Sequence, residues 1–207
     1  MNNFFSELKL KLADYRNSQL ILNSSFKDRN NSINYIVPKK FKKAAVLCLI
    51  EIKNKVNLNI LLTLRSHKLK EHPGQISFPG GKANIHESLT DCALRETEEE
   101  IGLKKKNIVI VGSLNMYLSG SNYLIKPVVG FINEEFDAKL NKAEVEKLIV
   151  FPINYLFNKE NIITNTYFDK SINQKMFYYD IKWKRYRIWG TTGIILVHLS
   201  KIISNVI

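Results

Sequence analysis

The sequence predicts an α/β protein in which a mixed sheet lies between helical layers. Three observations lead there. Short β-rich runs lie on both sides of one helical pattern bounded by Ser88 and Gly102. The last seventeen residues, 191–207, are strongly apolar and read as a buried terminal helix. The chain of 207 residues suits one sizeable core with extensions and is short for two independent domains.

Taken in order, residues 2–16 carry Phe4, Phe5, Leu8 and Leu12 at helical spacing, which predicts a short amphipathic helix packed on the main domain. Residues 17–34 are rich in Asn and Ser and read as a linker, so 1–36 is expected to be a helix with an irregular extension and 37–207 the main domain. The apolar runs 44–52 and 59–65 predict a hairpin around the polar stretch KNKVNL, and 76–78 a short strand feeding Gly80 and Gly81, which open a turn. Ser88 is placed to cap the next helix and Gly102 to stop it. Strands are expected at 108–118 and 123–132 around the turn Ser119-Gly120-Ser121-Asn122, then at 148–151 before a Pro-started helical turn near Tyr155. Further strands fill 162–189 around the stretch DKSINQK. His198, Lys201 and Asn205 interrupt the terminal run, which falls short of a membrane-spanning length. There is no internal repeat.

Composition narrows the function classes. Hydrophobic content of 45% and charged content of 24% are those of a soluble globular protein. Net charge of +12, with pI near 9.6, favours contact with anions. The basic clusters are Lys39-Lys40 with Lys42-Lys43, residues 104–106, and Lys182-Trp183-Lys184-Arg185; such runs are ordinarily solvated surface, and nucleic acid is not the favoured partner. Cys48 and Cys92 give no disulfide framework, and His67, His72, His86 and His198 form no zinc pattern. The N-terminus lacks a continuous apolar region of the secretory kind, so a cytoplasmic location is expected.

The chemistry concentrates on the central helix. Leu89, Cys92 and Ala93 make an apolar stripe, and the same spacing continues into Glu96, Glu99 and Glu100. Like charges three and four residues apart repel by about 0.2–0.5 kcal/mol per pair, and the negative end of the helix dipole adds to that cost. A divalent cation reverses the sign of each of those terms, and an all-oxygen cluster suits Mg²⁺ or Mn²⁺ rather than zinc. Glu98, off that face, reads as solvated.

Gly81, five intervening residues, Glu87, seven intervening residues, then Arg95-Glu96-Thr97-Glu98-Glu99-Glu100-Ile101-Gly102-Leu103 resemble the signature of the Nudix hydrolases. One position departs, Thr97 standing where the pattern asks for an aliphatic residue. The resemblance implies an α/β/α sandwich and a metal-dependent hydrolase that cleaves a diphosphate linked to another moiety. It implies Glu99 and Glu100 as first metal ligands, Glu96 as a further one and Glu87 completing the shell. Arg95 would orient a ligand by a charge-assisted hydrogen bond. Gly80 and Gly81 would let the backbone approach phosphate.

The preceding stretch resembles the signature of the coenzyme A pyrophosphatase subgroup: Leu61-Leu62-Thr63, Arg65-Ser66, His72, Gly74-Gln75-Ile76 and Phe78-Pro79-Gly80-Gly81, with Lys70 in place of that subgroup's arginine. Lys gives a point charge where Arg gives a planar fork. Further similarity lies in 125–130 and in Arg187-Ile188-Trp189-Gly190, so the resemblance covers about 43–201. The implied substrate is coenzyme A, cleaved to 3′,5′-adenosine diphosphate and 4′-phosphopantetheine, with Arg65, Lys70 and His72 on substrate. Glu144 is the position to test as general base. Free coenzyme A and its acyl thioesters are not separated, and oligomeric state is left open. Other readings are a Nudix hydrolase of ADP-ribose or a dinucleoside polyphosphate, an mRNA-decapping enzyme, and a non-catalytic RNA-binding or regulatory module.

Overall fold

Two apolar clusters, one on each face of a single sheet, organise the chain. The computed structural model describes residues 2–18, 41–52, 58–132, 134, 136–169 and 174–207. The strands are β1 (Lys42–Ile52), β2 (Leu58–Arg65), β3 (Ile76–Ser77), β4 (Gly80–Lys82), β5 (Ile108–Ser113), β6 (Tyr117–Leu118), β7 (Tyr123–Ile132), β8 (Val145–Pro152), β9 (Ile163–Asp169), β10 (Gln174–Trp183) and β11 (Tyr186–Trp189). The α-helices are α1 (Asn2–Ser18), α2 (Leu89–Ile101) and α3 (Gly190–Ile203).

The main sheet has eight strands, with the order β3-β2-β1-β7-β5, and β4, β6 and β8 pair with β1, β7 and β2. It is mixed: β1 and β7 run parallel, with Lys42 opposite Tyr123 and Ile50 opposite Phe131, and the other pairs are antiparallel. Alternation along β1 sends Ala45, Leu47 and Leu49 to the α2 side, where Cys92, Ala93 and Ile101 cover them. Cys48 and Ile50 face the other side, under Leu8 and Leu12 of α1 and the apolar face of α3. The result is a helix, sheet, helix sandwich of the expected class.

Most expected elements form. The two N-terminal phenylalanines of α1 meet Phe131 edge-on at 6.0 Å and 4.4 Å. Both cysteines are buried and free. The turn before β7 is held by Ser119 Oγ, which accepts the Tyr123 N–H at 3.1 Å, with Asn122 at φ 61°. Three expectations change. The Gly80-Gly81 turn is itself a short strand paired with Ala44–Val46 of β1. The expected strand 108–118 splits into β5 and β6, which both pair with β7. Strands β9 to β11 form a separate three-stranded antiparallel sheet, joined to the rest through α3. Of the linker expected over 17–34, residues 17 and 18 continue α1 and the rest lies outside the described residues, as do the domain boundary at 36/37, Lys39-Lys40, the β1–β2 turn at 53–57 and most of DKSINQK. No helix among the described residues is long and apolar enough to cross a membrane.

Candidate active site

Helix α2 carries the carboxylates, and both its ends are built for the purpose. The Ser88 side chain accepts the Asp91 N–H at 3.0 Å, and its hydroxyl donates to Asp91 Oδ2 at 2.6 Å. Gly102, at φ 75°, donates its N–H to Glu98 O at 2.9 Å. A β-carbon there would lie 2.9 Å from Lys139 Cβ, so this glycine admits both the left-handed turn and the crossing segment. Thr97 is buried, and its hydroxyl donates to Ala93 O at 2.7 Å, which satisfies the polar atom that an aliphatic residue would lack.

Arg95 gathers the carboxylates. Its Nε donates to Glu87 Oε1 at 2.7 Å, and Nη1 stands 2.9 Å from both Glu96 Oε1 and Glu99 Oε2. Its Nη2 reaches Lys82 O and Glu87 Oε2, each at 3.1 Å. The other Glu87 bond is the Asn84 N–H to Oε2 at 2.9 Å, so both Glu87 oxygens are engaged. Arg95 and then the Asn84 N–H hold the Glu87 carboxyl below its ordinary range.

Glu100 sits in a different environment. It is 3% exposed, and its Oε2 is buried without a hydrogen-bond partner. Burial pushes its carboxyl up to about 8; Arg65 opposes the shift, while Glu96 and Glu144 add to it. Glu96 is raised too, first by burial and further by Glu99 and Glu144, with Arg95 opposing. The cluster therefore holds three mutually repelling carboxylates, Glu96, Glu100 and Glu144, and Arg65 acts on the deepest of them. Arg65 Nε is also buried and without a partner, so an orphaned cation donor and an orphaned carboxylate oxygen lie in one neighbourhood.

The elements that bring Arg65 and Glu144 here are β2 and β8. Arg65 stands opposite Val145, after a shift of register at Leu64/Arg65, and the Ser66 N–H donates to Glu144 O at 2.8 Å. The segment before β8 is tied to the helix end by the Asn141 N–H to Glu100 O at 2.9 Å, and Asn141 Nδ2 donates to Glu144 Oε1 at 3.3 Å. Gly81 completes the floor: a β-carbon there would collide with the Glu96 carboxylate. At Gly80, φ is 154° and a β-carbon would strike Ala45 O. Lys70 and His72 are exposed on the loop 66–75, His72 at φ 57°, and among the described residues neither bonds to the carboxylates.

Sequence reasoning did not single out Asn141 or the Lys82–Tyr123 contact. Lys82 Nζ and Lys42 Nζ stand 5.6 Å and 5.8 Å from the Tyr123 ring, where β1 and β7 begin and β4 ends. The only trace in the sequence is the basic pair Lys42-Lys43.

A divalent cation suits these residues in donor type. The oxygens are hard, and the orphaned Glu100 Oε2 has an unfilled coordination direction. As the side chains stand, no group of three His, Cys, Asp or Glu among the described residues is drawn together around one point. Arg95 holds Glu96 and Glu99 against its own guanidinium. Loading with metal would require those two carboxylates to turn toward Glu100.

A glycine turn followed by a capped helix whose inner face ends in carboxylates, on a mixed sheet between helices, defines a diphosphate-hydrolase type of site. The family model of the NUDIX domain matches residues 40–165, and the chain belongs to the Nudix hydrolase family. It is 36% identical over 118 residues to the peroxisomal coenzyme A diphosphatase NUDT7 of Mus musculus, a match that covers 56% of this chain and 48%, about half, of that protein. It is 33% identical over 226 residues to the chloroplastic Nudix hydrolase 22 of Arabidopsis thaliana, covering 97% of this chain and 74% of that protein. It is 32% identical over 165 residues to the Nudix hydrolase NudL of Yersinia pestis, covering 79% and 80%. Among solved structures, the binary complex of a C. elegans Ap4A hydrolase aligns with a TM-score of 0.46 at 21% identity, covering 56% of this chain and 83% of that one.

Proposed function

We propose that this chain, working in the cytoplasm, hydrolyses the diphosphate of coenzyme A or a derivative to 3′,5′-adenosine diphosphate and 4′-phosphopantetheine. The observation that carries this reading is Arg65. It comes from the upstream stretch 61–81, and it acts on Glu100 while its buried Nε has no partner. An anionic phosphate oxygen would satisfy that donor. The similarity to a mouse protein named as a coenzyme A diphosphatase supports the same substrate.

In this mechanism Mg²⁺ or Mn²⁺ would be held by Glu99 and Glu100 with Glu96, and when bound supplies positive charge against the diphosphate oxygens. Glu87 anchors Arg95 rather than completing the metal shell, because both of its oxygens are already taken. Arg95 in turn positions Glu96 and Glu99. Arg65 orients the phosphate next to Glu100, and Lys70 and His72 meet the outer phosphate or the nucleoside. Gly80 and Gly81 keep side-chain volume out of the floor, so that the diphosphate approaches the backbone. Glu144 accepts the proton of the attacking water; it is half-buried, and Asn141 fixes its orientation. The protein's share of the barrier is mainly positioning.

The test is incubation with coenzyme A and Mg²⁺, with products identified by mass, beside a Glu99→Gln/Glu100→Gln double variant. Release of 4′-phosphopantetheine by the parent and not by the variant is expected. No release by a parent that has bound metal would discard coenzyme A in favour of another nucleoside diphosphate derivative.

A further inference from the structure

The basic run Lys182-Trp183-Lys184-Arg185 plays no part in the site above. It forms the turn between β10 and β11, where Trp183 pairs with Tyr186 and Lys184 takes φ 52°. The tip of this turn stands against β8, which among the described residues pairs with β2 alone and so leaves one edge open. Between turn and edge lies a groove of about 440 Å³, within the size range of small-molecule sites. Lys147 and Val150 of β8 form one wall, and Trp183, Lys184, Arg185 and Tyr186 the other.

Its chemistry is unusual for a surface crease. Trp183 and Tyr186 are stacked, with centroids 6.1 Å apart and planes at 22°. Lys184 Nζ lies 4.5 Å from the Trp183 centroid, and the Arg185 guanidinium 5.4 Å from that of Tyr186. Arg185 Nη2 stands 3.3 Å from the Tyr186 hydroxyl. Arg185, and less strongly Lys147 from the opposite wall, hold that hydroxyl below the ordinary phenol range. Among the described residues, no carboxylate lines the groove. The nearest in sequence are engaged elsewhere: Glu146 with His67 at 3.5 Å, and Asp180 with Arg187 at 2.8 Å. Two like charges aimed at one phenol oppose each other, and an anion between them reverses that term. Stacked rings beside a charge pair favour a ligand with a planar base as well as a phosphate.

We infer that this groove binds a phosphorylated nucleoside, its phosphate between Lys147 and Arg185 and its base extending the Trp183–Tyr186 stack. The chemistry has two possible sources. One is the far, phosphate-bearing end of the substrate, since Lys147 stands opposite Leu64, one residue before Arg65. The other is a separate nucleotide. A nucleic-acid strand is the weaker fit, because the groove gathers Lys147, Lys184 and Arg185 in one place where a strand needs a track of cations.

The probe is adenosine 3′,5′-bisphosphate, titrated into the full chain by calorimetry and by tryptophan fluorescence; Trp183 and Trp189 are the chain's two tryptophans. The parent is expected to bind, and a Lys147→Ala/Arg185→Ala double variant of unchanged melting temperature to bind at least tenfold more weakly. Competition with uncleaved substrate on the Glu99→Gln/Glu100→Gln background assigns the groove to the substrate's own end; simultaneous binding assigns it to a separate nucleotide. Absence of binding by the parent, or equal affinity in parent and variant, overturns the inference. So does a single-stranded oligonucleotide that binds tenfold more tightly than the probe and is lost in the double variant. No turnover enters these readings, so failure to hydrolyse coenzyme A leaves them intact.

Discussion

A single residue shows how burial sets a protonation state in this molecule. His198 of α3 lies beneath Tyr117, whose hydroxyl is 2.7 Å from its Nδ1, and near the ring of Tyr15 from α1 at 6.0 Å. Burial, with a smaller contribution from Lys201, lowers its pKa from 6.5 to about 4. The imidazole is therefore neutral in the folded protein while it titrates near 6.5 once unfolded. Between those values the unfolded chain holds the extra proton, so stability is complete above about pH 6.5 and declines as pH falls toward 4. The loss is on the order of 3 kcal/mol across that window. Denaturant unfolding of the parent and of His198→Gln at a series of pH values should give a steeper acid decline for the parent; parallel curves would refute the assignment. Glu100 is the contrast: its Oε2 is buried without a hydrogen-bond partner, and the neighbouring Arg65 opposes the rise that burial imposes on its carboxyl.

At the scale of elements, α1 is part of the core that α3 shares. Leu8 and Leu12 are 0% and 1% exposed, and Leu12 packs so closely on β5 that a β-carbon at Gly112 would lie 3.1 Å from its Cδ1. Leu12→Ala is expected to cost about 2–5 kcal/mol in chemical denaturation. It should leave kcat/KM unchanged, because α1 and α2 cover opposite faces of the sheet. A cost below 1 kcal/mol would mean that α1 is only loosely held. Elements such as α1 and α2 were readable in the sequence because their information is local: a helical apolar stripe, a serine cap, a glycine stop and the spacing from Gly81 to Leu103. Strand β4 was not, since three residues with two glycines carry no strand signal and pair only because Ala44–Val46 lie alongside. The same holds for the carboxylate centre. Glu96, Glu99 and Glu100 were legible from one helix face, whereas the meeting of Arg65, Glu144 and Glu100 depends on β2–β8 register and on Asn141. The second sheet, and with it the groove beside β8, depends on how a hairpin docks, which no periodicity encodes.

On the scale of the whole molecule, a chain of net charge +12 carries a site whose own side chains are mostly acidic. Within the site, Arg95 and Arg65 sit against the carboxylates, so the excess positive charge lies outside it. Lys42 and Lys82 flank Tyr123, and exposed Lys70 stands on the loop that follows Arg65. On the proposed function, such a distribution would draw an anionic substrate toward the site over distances longer than any contact. The attraction is screened over about 10 Å at 0.1 M salt, so it acts on encounter more than on the chemical step. With Mg²⁺ held saturating, kcat/KM for the diphosphate substrate should fall several-fold between 20 mM and 500 mM KCl while kcat changes little. If kcat fell in step with kcat/KM, salt would be acting on the carboxylate centre itself, and the surrounding lysines would have no steering role. If neither changed, the positive surface would be indifferent to substrate, and the remaining reason for it to be cationic would be ligands such as the nucleotide assigned to the β8 groove.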